Sequence, residues 1–189
     1  MAGRDLTYGC KCGKLRGLVR GVSPEYGTHC MCYCKDCQRF ARHLGADWAL
    51  DDNGGTALYQ TVPSRIEFTQ GQENLACLRF SPKGPHRWYA GCCNTPLANT
   101  VGPGLRFAGT FVAAYPDIDA ETTFGAVTTV VNVPKALASE RVRNRGLVSG
   151  IVGLLWRHVG SGFGAGKRAS PFFGPDGRAV VKPDIVAQT

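Results

Sequence analysis

Nine cysteines grouped along the chain are the feature that most constrains how this sequence can fold and what it can bind. A thiolate sulfur is a preferred ligand of zinc; four such ligands close a tetrahedral site, whereas three leave one position open. The nine form three clusters and one isolated residue: Cys10 and Cys12; Cys30, Cys32, Cys34 and Cys37; Cys77; Cys92 and Cys93. Three clusters predict two metal sites, and we expect one or two Zn²⁺ ions per chain.

The central cluster contains the motif C-x-C-x-x-C at Cys32, Cys34 and Cys37. The C-x-x-C part can form a tight turn that aims both sulfurs at one ion, and Cys32 can supply a third. On an extended segment Cys30, Cys32 and Cys34 share one face, so Cys30 is either a fourth ligand or a spare thiol nearby. The alternative to metal binding is a set of buried apolar cysteines, which is the role expected of the isolated Cys77.

The first residues, MAGRDLTYGCKCG, lack the apolar stretch of a secretory signal. No run approaches the roughly 18 apolar residues of a transmembrane helix. We therefore expect a cytoplasmic protein with no transmembrane segment. Cytosolic thiols are kept reduced, and an odd number of cysteines cannot pair completely, so metal binding or catalysis is expected rather than disulfides.

Composition bounds the size and the charge of the protein. The 189 residues fit one domain, and 43% apolar with 19% charged residues is typical of a folded chain. The net charge of +8 is evenly spread, since residues 1–100 carry 12 basic and 8 acidic groups and residues 101–189 carry 10 and 6. Without a dense basic stripe there is no firm signal for nucleic-acid binding.

Alternating apolar residues separated by turn residues predict a mainly β fold. The turn signals are DDNGG, TQGQEN and SPKGPH. The predicted strands are residues 14–22, 46–50, 57–62, 65–69, 75–80 and 125–133.

Residues 136–160 change to helical spacing and predict a basic amphipathic helix, with a break at Gly146 or Gly150. Apolar residues recur at three and four residue steps, with arginines before and around them: Leu147, Ile151, Leu154 and Leu155; Arg141, Arg143, Arg145 and Arg157. Such a helix either packs over an open sheet face or binds a membrane surface or partner; packing is the expectation, because glycines weaken an isolated helix.

The Gly- and Pro-rich sequence after residue 160 predicts a loosely structured tail with one short strand at 178–182. Its GAGKRAS segment does not match a phosphate-binding loop, because Ser161 stands where the first glycine belongs and Arg168 where Ser or Thr belongs.

Three motifs together resemble the glutathione-dependent formaldehyde-activating enzymes and their relatives, including centromere protein V. They are GCKCGKLRG at 9–17, CYCKDCQR at 32–39 and RWYAGCCNTPLANT at 87–100, in the order and approximate spacing of that family. The resemblance implies a carbon-sulfur lyase on an Mss4-like β-tent of short twisted sheets around two zinc ions. In that family the early C-x-C and a late C-x-x-C hold a structural zinc, and the central motif holds a second zinc where the thiol adduct is handled.

Carried onto this chain, the resemblance implies structural ligands at Cys10, Cys12 and Cys93. The family has a first late cysteine where this chain has Ala90. Cys92 can replace it through a rearranged loop, which is the interpretation we favour; otherwise the site is three-coordinate with water, or lost. Adjacent residues on an extended chain point to opposite faces, so Cys92 and Cys93 can share one ion only in a bent turn.

The resemblance also implies that Cys32, Cys34 and Cys37 hold the second zinc and carry the chemistry. Residues after about 100 are not matched by short family members and indicate a divergent branch. We expect a zinc-binding β-tent domain at 1–133, and a helical extension and tail at 134–189 packed on it.

Three functions are compatible with these residues. The first is a zinc-dependent carbon-sulfur lyase acting on glutathione or another small thiol adduct, because zinc held by three thiolates can bind an exogenous thiolate and lower its pKa. The second is a non-catalytic zinc-stabilised module that binds a partner, nucleic acid or membrane. The third, a thiol redox protein using Cys34 and Cys37, is disfavoured because neighbouring sulfurs compete for the ion.

Several residues near the central motif are candidates for supporting roles. His29 and His43 can serve as acid, base or alternative ligand, or as ordinary hydrogen-bonded or surface histidines. Arg39 and Arg42 can attract the carboxylates of glutathione or lie on a solvated helix face. Turn formation and charge balance are expected of Lys35 and Asp36, and core positions of Trp48, Trp88 and Tyr89.

Overall fold

The computed structural model describes residues 3–138, 142–160 and 170–186. In these ranges the chain is mainly β, as the sequence predicts. The strands are β1 (Arg4–Gly9), β2 (Arg16–Val22), β3 (Thr28–Cys32), β4 (Thr56–Thr61), β5 (Ile66–Gln70), β6 (Leu75–Arg79), β7 (His86–Ala90), β8 (Thr95–Thr100), β9 (Ala108–Phe111), β10 (Thr129–Val131) and β11 (Asp184–Ile185). The helices are α1 (Lys35–His43), α2 (Ala120–Phe124) and α3 (Leu147–Gly160).

The strands form two sheets. A three-stranded antiparallel sheet has the order β1-β2-β5, and an eight-stranded sheet has the order β10-β3-β4-β9-β8-β7-β6-β11. Interior neighbours of the larger sheet are antiparallel, whereas each edge carries a short parallel strand, β10 beside β3 and β11 beside β6. The later part of the chain therefore completes both edges of the larger sheet.

Tyr8 in β1 joins the two sheets. Its ring is fully buried and lies 5.0 Å from the ring of Tyr115, centroid to centroid. Its hydroxyl donates a 2.7 Å hydrogen bond to the backbone carbonyl of Leu97 in β8. Because the hydroxyl is satisfied, the whole side chain can be buried between the sheets without an unpaired polar atom.

Strand predictions are confirmed for residues 14–22, 57–62, 65–69 and 75–80, which correspond to β2, β4, β5 and β6. Of the predicted strand at 125–133, only Thr129–Val131 is extended and paired. The strand prediction at 46–50 is wrong, because these residues follow the end of α1 and form a single 3-10 turn, Asp47–Ala49. Trp48 is accordingly not a core residue: it is 44% exposed, and the Lys11 ammonium lies 4.2 Å from the centroid of its ring.

The segment after residue 170 is part of the core, which corrects the expectation of a loosely structured tail. Phe172 is fully buried with its ring centroid 4.9 Å from that of Trp88, and Phe173 lies 5.9 Å from the same ring. The predicted strand at 178–182 is wrong, since only an isolated bridge, Phe173 to Ala179, forms there and the strand lies later, in β11. Residues 161–169, with most of GAGKRAS, lie outside the described residues.

The predicted helix at 136–160 is shorter than expected. Residues 135–137 form a 3-10 turn, 139–141 lie outside the described residues, and α3 begins after Gly146. Gly146 has a φ of +67°, and a Cβ there would lie 2.1 Å from the carbonyl oxygen of Thr128, so this position requires glycine. The break predicted at Gly146 or Gly150 therefore falls at Gly146.

One side of α3 packs on the larger sheet, where Gly150 lets the helix backbone approach Thr129 of β10. The other side leaves large apolar side chains exposed: Val148, Val152, Leu155, Trp156 and Val159. The helix thus packs on the sheet as predicted, but only with one side. The side chains of Leu154 and Arg157 lie outside the description. Across the described ranges, no helix has the length and apolar character needed to cross a bilayer.

The C-terminal aromatic contact yields a stability prediction. Phe172→Ala removes a fully buried ring from the surface of Trp88, so we expect the free energy of unfolding to fall by about 3–5 kcal/mol. Trp156→Ala is the control, because that side chain is 74% exposed and its loss should cost no more than about 0.5 kcal/mol. Urea unfolding of metal-loaded protein measures both. Equal, small effects would contradict the placement of Phe172 in the core.

Candidate metal centres

Four cysteines from two distant turns form the first sulfur group. The sulfurs of Cys10, Cys12, Cys92 and Cys93 all lie within 4.8 Å of one another. Their closest separations are 3.4 Å for Cys10 to Cys12 and for Cys12 to Cys92, 3.7 Å for Cys10 to Cys92, and 3.9 Å for Cys92 to Cys93. A tetrahedral ion with zinc–sulfur bonds of about 2.3 Å places its ligand sulfurs about 3.8 Å apart. The four-cysteine group therefore has the spacing of a closed zinc site.

Two tight turns bring this group together. Cys10 and Cys12 lie in the turn between β1 and β2, where Gly13 adopts a φ of +76°. Cys92 and Cys93 lie in the turn between β7 and β8, which is closed by a 2.7 Å hydrogen bond from the Asn94 amide to the Ala90 carbonyl. Asn94 has a φ of 55°, so the chain reverses at once after the cysteine pair. The bent turn that allows adjacent cysteines to share one ion is present.

Hydrogen bonds to the sulfurs of this first group change the pKa values of its thiols. The Leu15 amide donates to the Cys10 sulfur at 3.3 Å, and the Thr95 hydroxyl lies 3.1 Å from the Cys93 sulfur. Burial raises the pKa of Cys93, but hydrogen bonds from the Thr95 hydroxyl and the Cys12 backbone outweigh it and lower that pKa to about 6. Burial and its thiol neighbours raise the pKa of Cys92. One sulfur of the group is thus poised as a thiolate for a cation.

Three cysteines form the second sulfur group, at the junction of β3 and α1. The sulfurs of Cys32, Cys34 and Cys37 all lie within 4.8 Å of one another. Cys32 ends β3, and Cys34 is the N-cap of α1, where its sulfur accepts a 3.3 Å hydrogen bond from the Cys37 amide. A helix N-terminus favours negative charge, so the first turn of α1 stabilises thiolate sulfur. The sequence predicted a turn at C-x-x-C and offered a helix only as one alternative for Arg39 and Arg42, both of which lie in α1.

The thiols of this second group share protons unequally. Hydrogen bonds from the Cys34 and Cys37 thiols lower the pKa of Cys32 well below the ordinary value. Hydrogen bonding to the Cys32 sulfur raises the pKa of Cys34, and hydrogen bonds with both neighbours together with burial raise that of Cys37. Within the triad, negative charge is therefore favoured on the Cys32 sulfur over the other two. A divalent ion would displace the remaining protons.

Three polar side chains surround the second group, and sequence reasoning missed all of them as site residues. The Arg87 guanidinium lies 3.8 Å and the Asn99 amide nitrogen 3.9 Å from the Cys37 sulfur, while the Asn132 amide nitrogen lies 3.7 Å from the Cys32 sulfur. Arg87 is only 4% exposed in its side chain and pairs with Asp36 at 3.3 Å. Arg87 and Asn99 lie within the motif RWYAGCCNTPLANT, which could have marked them as site residues. Asn132 lies outside all three motifs, so no sequence signal pointed to it.

Cys30 does not join the second group. It is buried in β3, its sulfur is outside the set that lies within 4.8 Å, and burial raises its pKa to about 12. Of the two alternatives for Cys30, the geometry matches a spare thiol. All nine cysteines, including Cys34 and Cys37, are free rather than bridged. Cys77 is buried in the core as expected.

The two histidines beside the motif do not reach the sulfur groups. His29 is buried, its Nδ1 lies 2.7 Å from the Gly125 carbonyl, and its ring makes an edge contact with Phe124. His43 is exposed in the last turn of α1. Both therefore match the ordinary roles weighed for them, and neither belongs to a metal-binding group among the described residues.

The outer face of α1 is basic. It borders a cavity of about 720 Å³ lined by Lys35, Gln38, Arg39, Arg42, His43 and Val186. Arg39 also lies over the Phe80 ring, 4.0 Å from its centroid, which ties this face to the sheet. The cations that line this cavity therefore lie on α1, the helix that also carries Cys34 and Cys37 of the second sulfur group.

Metal content follows directly from the two groups. We expect two zinc ions per reduced wild-type chain, and the loss of one ion in Cys34→Ala and of the other in Cys93→Ala. Cys77→Ala is the control, since this buried cysteine lies in neither group, and it should retain both ions. Elemental analysis of purified protein measures the stoichiometry. A metal-free reduced wild type would reject both centres.

The surroundings of the second group give a separate prediction. Arg87→Met removes the buried cation beside the Cys37 sulfur, so the metal affinity of this centre should fall about 10- to 100-fold. Arg20→Met is the control, because Arg20 forms exposed ion pairs with Asp5 and Glu67 and makes no contact with either sulfur group among the described residues. Cobalt titration against a chromophoric chelator reports each centre separately. A similar loss in both variants would show that Arg87 acts only on general stability.

Comparison with known proteins gives a family but no activity. No curated protein matches this chain. A crystal structure of a Rhodobacter sphaeroides protein, a structural genomics target, is 16% identical, covers 62% of this chain and 94% of its own, and has a TM-score of 0.42. A similarity of that size does not establish a shared fold or function. A family of unknown function, DUF6151, matches residues 3–139, more than half of the chain and with both sulfur groups inside it. The protein belongs to the DUF6151 family.

Proposed function

We propose that this protein is a zinc-dependent carbon-sulfur lyase-like enzyme that acts on glutathione or another small thiol adduct at the Cys32, Cys34 and Cys37 centre. The single observation that carries the proposal is the difference in ligand number between the two groups, four sulfurs in one and three in the other. Four protein ligands close a zinc site, whereas three leave a position for an exogenous ligand. The first centre is then structural and the second is the reactive one.

The donor set fits zinc. Thiolate ligands favour zinc over the oxygen-preferring ions magnesium and calcium, and the buried Cys32 and Cys37 with half-buried Cys34 give a partly enclosed site that remains reachable. Zinc bound there would lower the pKa of an incoming thiol and hold it as a thiolate. The polar neighbours Arg87 and Asn99 support negative charge on the Cys37 sulfur through their N–H groups.

The reaction proposed is addition of a thiol to an aldehyde and its reverse. The sulfur forms a bond to the carbonyl carbon, the C=O π pair moves to oxygen, and oxygen takes the proton that the thiol has lost. The Asn132 amide, 3.7 Å from the Cys32 sulfur, is an N–H donor at the edge of the centre that can polarise that oxygen. Holding the sulfur beside the carbonyl supplies the proximity part of the rate enhancement.

Glutathione is the thiol favoured by charge. The cavity on the outer face of α1 presents Lys35, Arg39 and Arg42 beside the helix turn that contains Cys34. Carboxylates of a bound thiol can pair with these cations. The resemblance of the three cysteine motifs to the glutathione-dependent formaldehyde-activating enzymes supports the same assignment, and membership of that group is part of the proposal.

Two further expectations stay with this proposal. One is a cytoplasmic location, which keeps the nine thiols reduced. The other is the division into a zinc-binding domain at 1–133 and an extension at 134–189 packed on it; the contacts of Phe172 with Trp88 and of β11 with β6 support the packing.

A second candidate function is a non-catalytic zinc-stabilised binding module. The observation in its favour is the exposed apolar side of α3, where Val148 is 75% and Trp156 74% exposed. Exposed apolar patches of this kind mark interaction surfaces. The two candidates differ at the second centre, because a fourth protein sulfur on that ion would leave no open position for a thiol.

The test is formation of the hydroxymethyl thioether from glutathione and formaldehyde by zinc-loaded protein, followed by NMR. Wild type should exceed the solution rate, and Cys34→Ala should return to it because the second centre loses a ligand. Cys30→Ala should retain the wild-type rate, since Cys30 lies outside the sulfur group. A wild-type rate equal to that in solution, with formaldehyde and with larger aldehydes alike, would leave only the binding-module function.

A further inference from the structure

A second cavity, of about 550 Å³, lies between α3, β10 and the loop before β9. Its apolar lining comes from three parts of the chain: Leu105 and Phe107 before β9, Val131 in β10, and Leu147 and Ile151 in α3. The volume is within the range of small-molecule sites. The cavity therefore has the size and the surface of a binding pocket for an apolar group.

Charge separates this cavity from the basic one. Its polar lining residues are neutral, and no charged side chain lines it among the residues that the structure describes. The cavity along α1, in contrast, is bordered by Lys35, Arg39 and Arg42. An ionised glycine or glutamate arm of glutathione would lose hydration in the apolar cavity without gaining a charged partner. The apolar cavity thus suits a different part of the substrate.

The apolar cavity adjoins the second sulfur group through Asn132. This side chain lines the cavity, and its amide nitrogen lies 3.7 Å from the Cys32 sulfur. The strand register also places the cavity beside β3, because two residues of β10 that line the cavity pair with cysteines of β3: Val131 with Cys32, and Thr129 with Cys30. Paired residues of neighbouring strands point to the same side of a sheet, so Val131 and Cys32 share one face. A group attached to sulfur at the centre can therefore extend past Asn132 into the cavity.

We propose that the aldehyde component of the substrate is an apolar alkyl or aryl aldehyde, whose chain occupies the cavity between α3 and β10 while its thiohemiacetal carbon lies beside Asn132. This inference rests on the proposed function and names its substrate class. Thiol and aldehyde give the thiohemiacetal by forming one sulfur–carbon bond, with the thiol proton ending on oxygen, so no oxidant or reductant is needed. The thiol part faces the basic cavity, and the aldehyde-derived chain faces the apolar one.

Straight-chain alkanethiols test this inference without turnover, because they place sulfur, its first carbon and a chain where the thiohemiacetal would have them. Cobalt-loaded protein is titrated with ethanethiol, butanethiol and hexanethiol, and the thiolate-to-cobalt absorption gives the affinity. Each buried methylene should tighten binding by about fourfold. Fluorescence of the neutral dye N-phenylnaphthylamine, displaced by hexanol, reports the cavity independently of the metal.

Two neighbouring residues of α3 provide a matched pair of variants. Ile151 lines the cavity and is 48% exposed, whereas Val152 is 46% exposed and does not line it. Ile151→Asp should leave ethanethiol binding within about twofold of wild type and remove the gain with chain length. Val152→Asp should keep the wild-type series. Leu105→Asp, in the loop on the other wall, is a second lining variant that should reproduce Ile151→Asp if the helix variant fails to fold.

The outcomes separate the two proposals. Equal affinity for all three alkanethiols, with no displacement of the dye by hexanol, would overturn the apolar-aldehyde inference and leave the thiol-binding centre intact. Absence of any thiolate-to-cobalt absorption with every thiol would instead reject the open centre, and the inference with it. A chain-length series that survives Ile151→Asp and Leu105→Asp but not Val152→Asp would place the chain outside this cavity and overturn the inference.

Discussion

The convergence of sulfur atoms from segments far apart in the sequence is the constraint on which the rest of the fold depends. Cys10 and Cys92 are 82 positions apart, yet their sulfurs approach to 3.7 Å. Sulfurs this close repel one another once ionised, and a divalent cation turns that repulsion into attraction. Because one pair lies in the β1–β2 turn and the other in the β7–β8 turn, metal binding at this group clamps the small sheet to the large one.

The two sulfur groups differ in what surrounds them as much as in ligand number. The four-cysteine group lies in surface turns and includes the exposed Cys12. The triad lies under α1 with Cys32 and Cys37 buried, and three N–H donors from Arg87, Asn99 and Asn132 approach its sulfurs. Burying negative sulfur is costly unless donors and a cation compensate it. These donors lie in β7, in β8 and after β10, outside the two turns that hold the four-cysteine group.

Local signals in the sequence were enough for four of the strands and for the central sulfur group. Alternation found β2, β4, β5 and β6, and cysteine spacing grouped Cys32, Cys34 and Cys37. The features that the sequence did not predict depend on tertiary contacts. Trp48 is a large aromatic residue of the kind expected in a core, but it lies after the end of α1 and is exposed. Phe172 follows a Gly-rich stretch, yet its ring packs against that of Trp88 and is buried. Asn132 reaches a sulfur 100 positions away only because β10 pairs with β3.

The basic outer face of α1 has a kinetic consequence. Zinc bound to the three thiolates of the triad, as proposed, would carry a formal charge of −1, from +2 and −3, and a fourth, exogenous thiolate would take it to −2. The cations Lys35, Arg39 and Arg42 offset that added charge and attract anionic thiols over the Debye length, about 10 Å at 0.1 M salt. In the proposed enzyme, encounter with a charged thiol would slow as ionic strength rises, while binding of a neutral aldehyde in the cavity beside α3 would be indifferent to salt. The two components of the proposed reaction would therefore respond differently to salt.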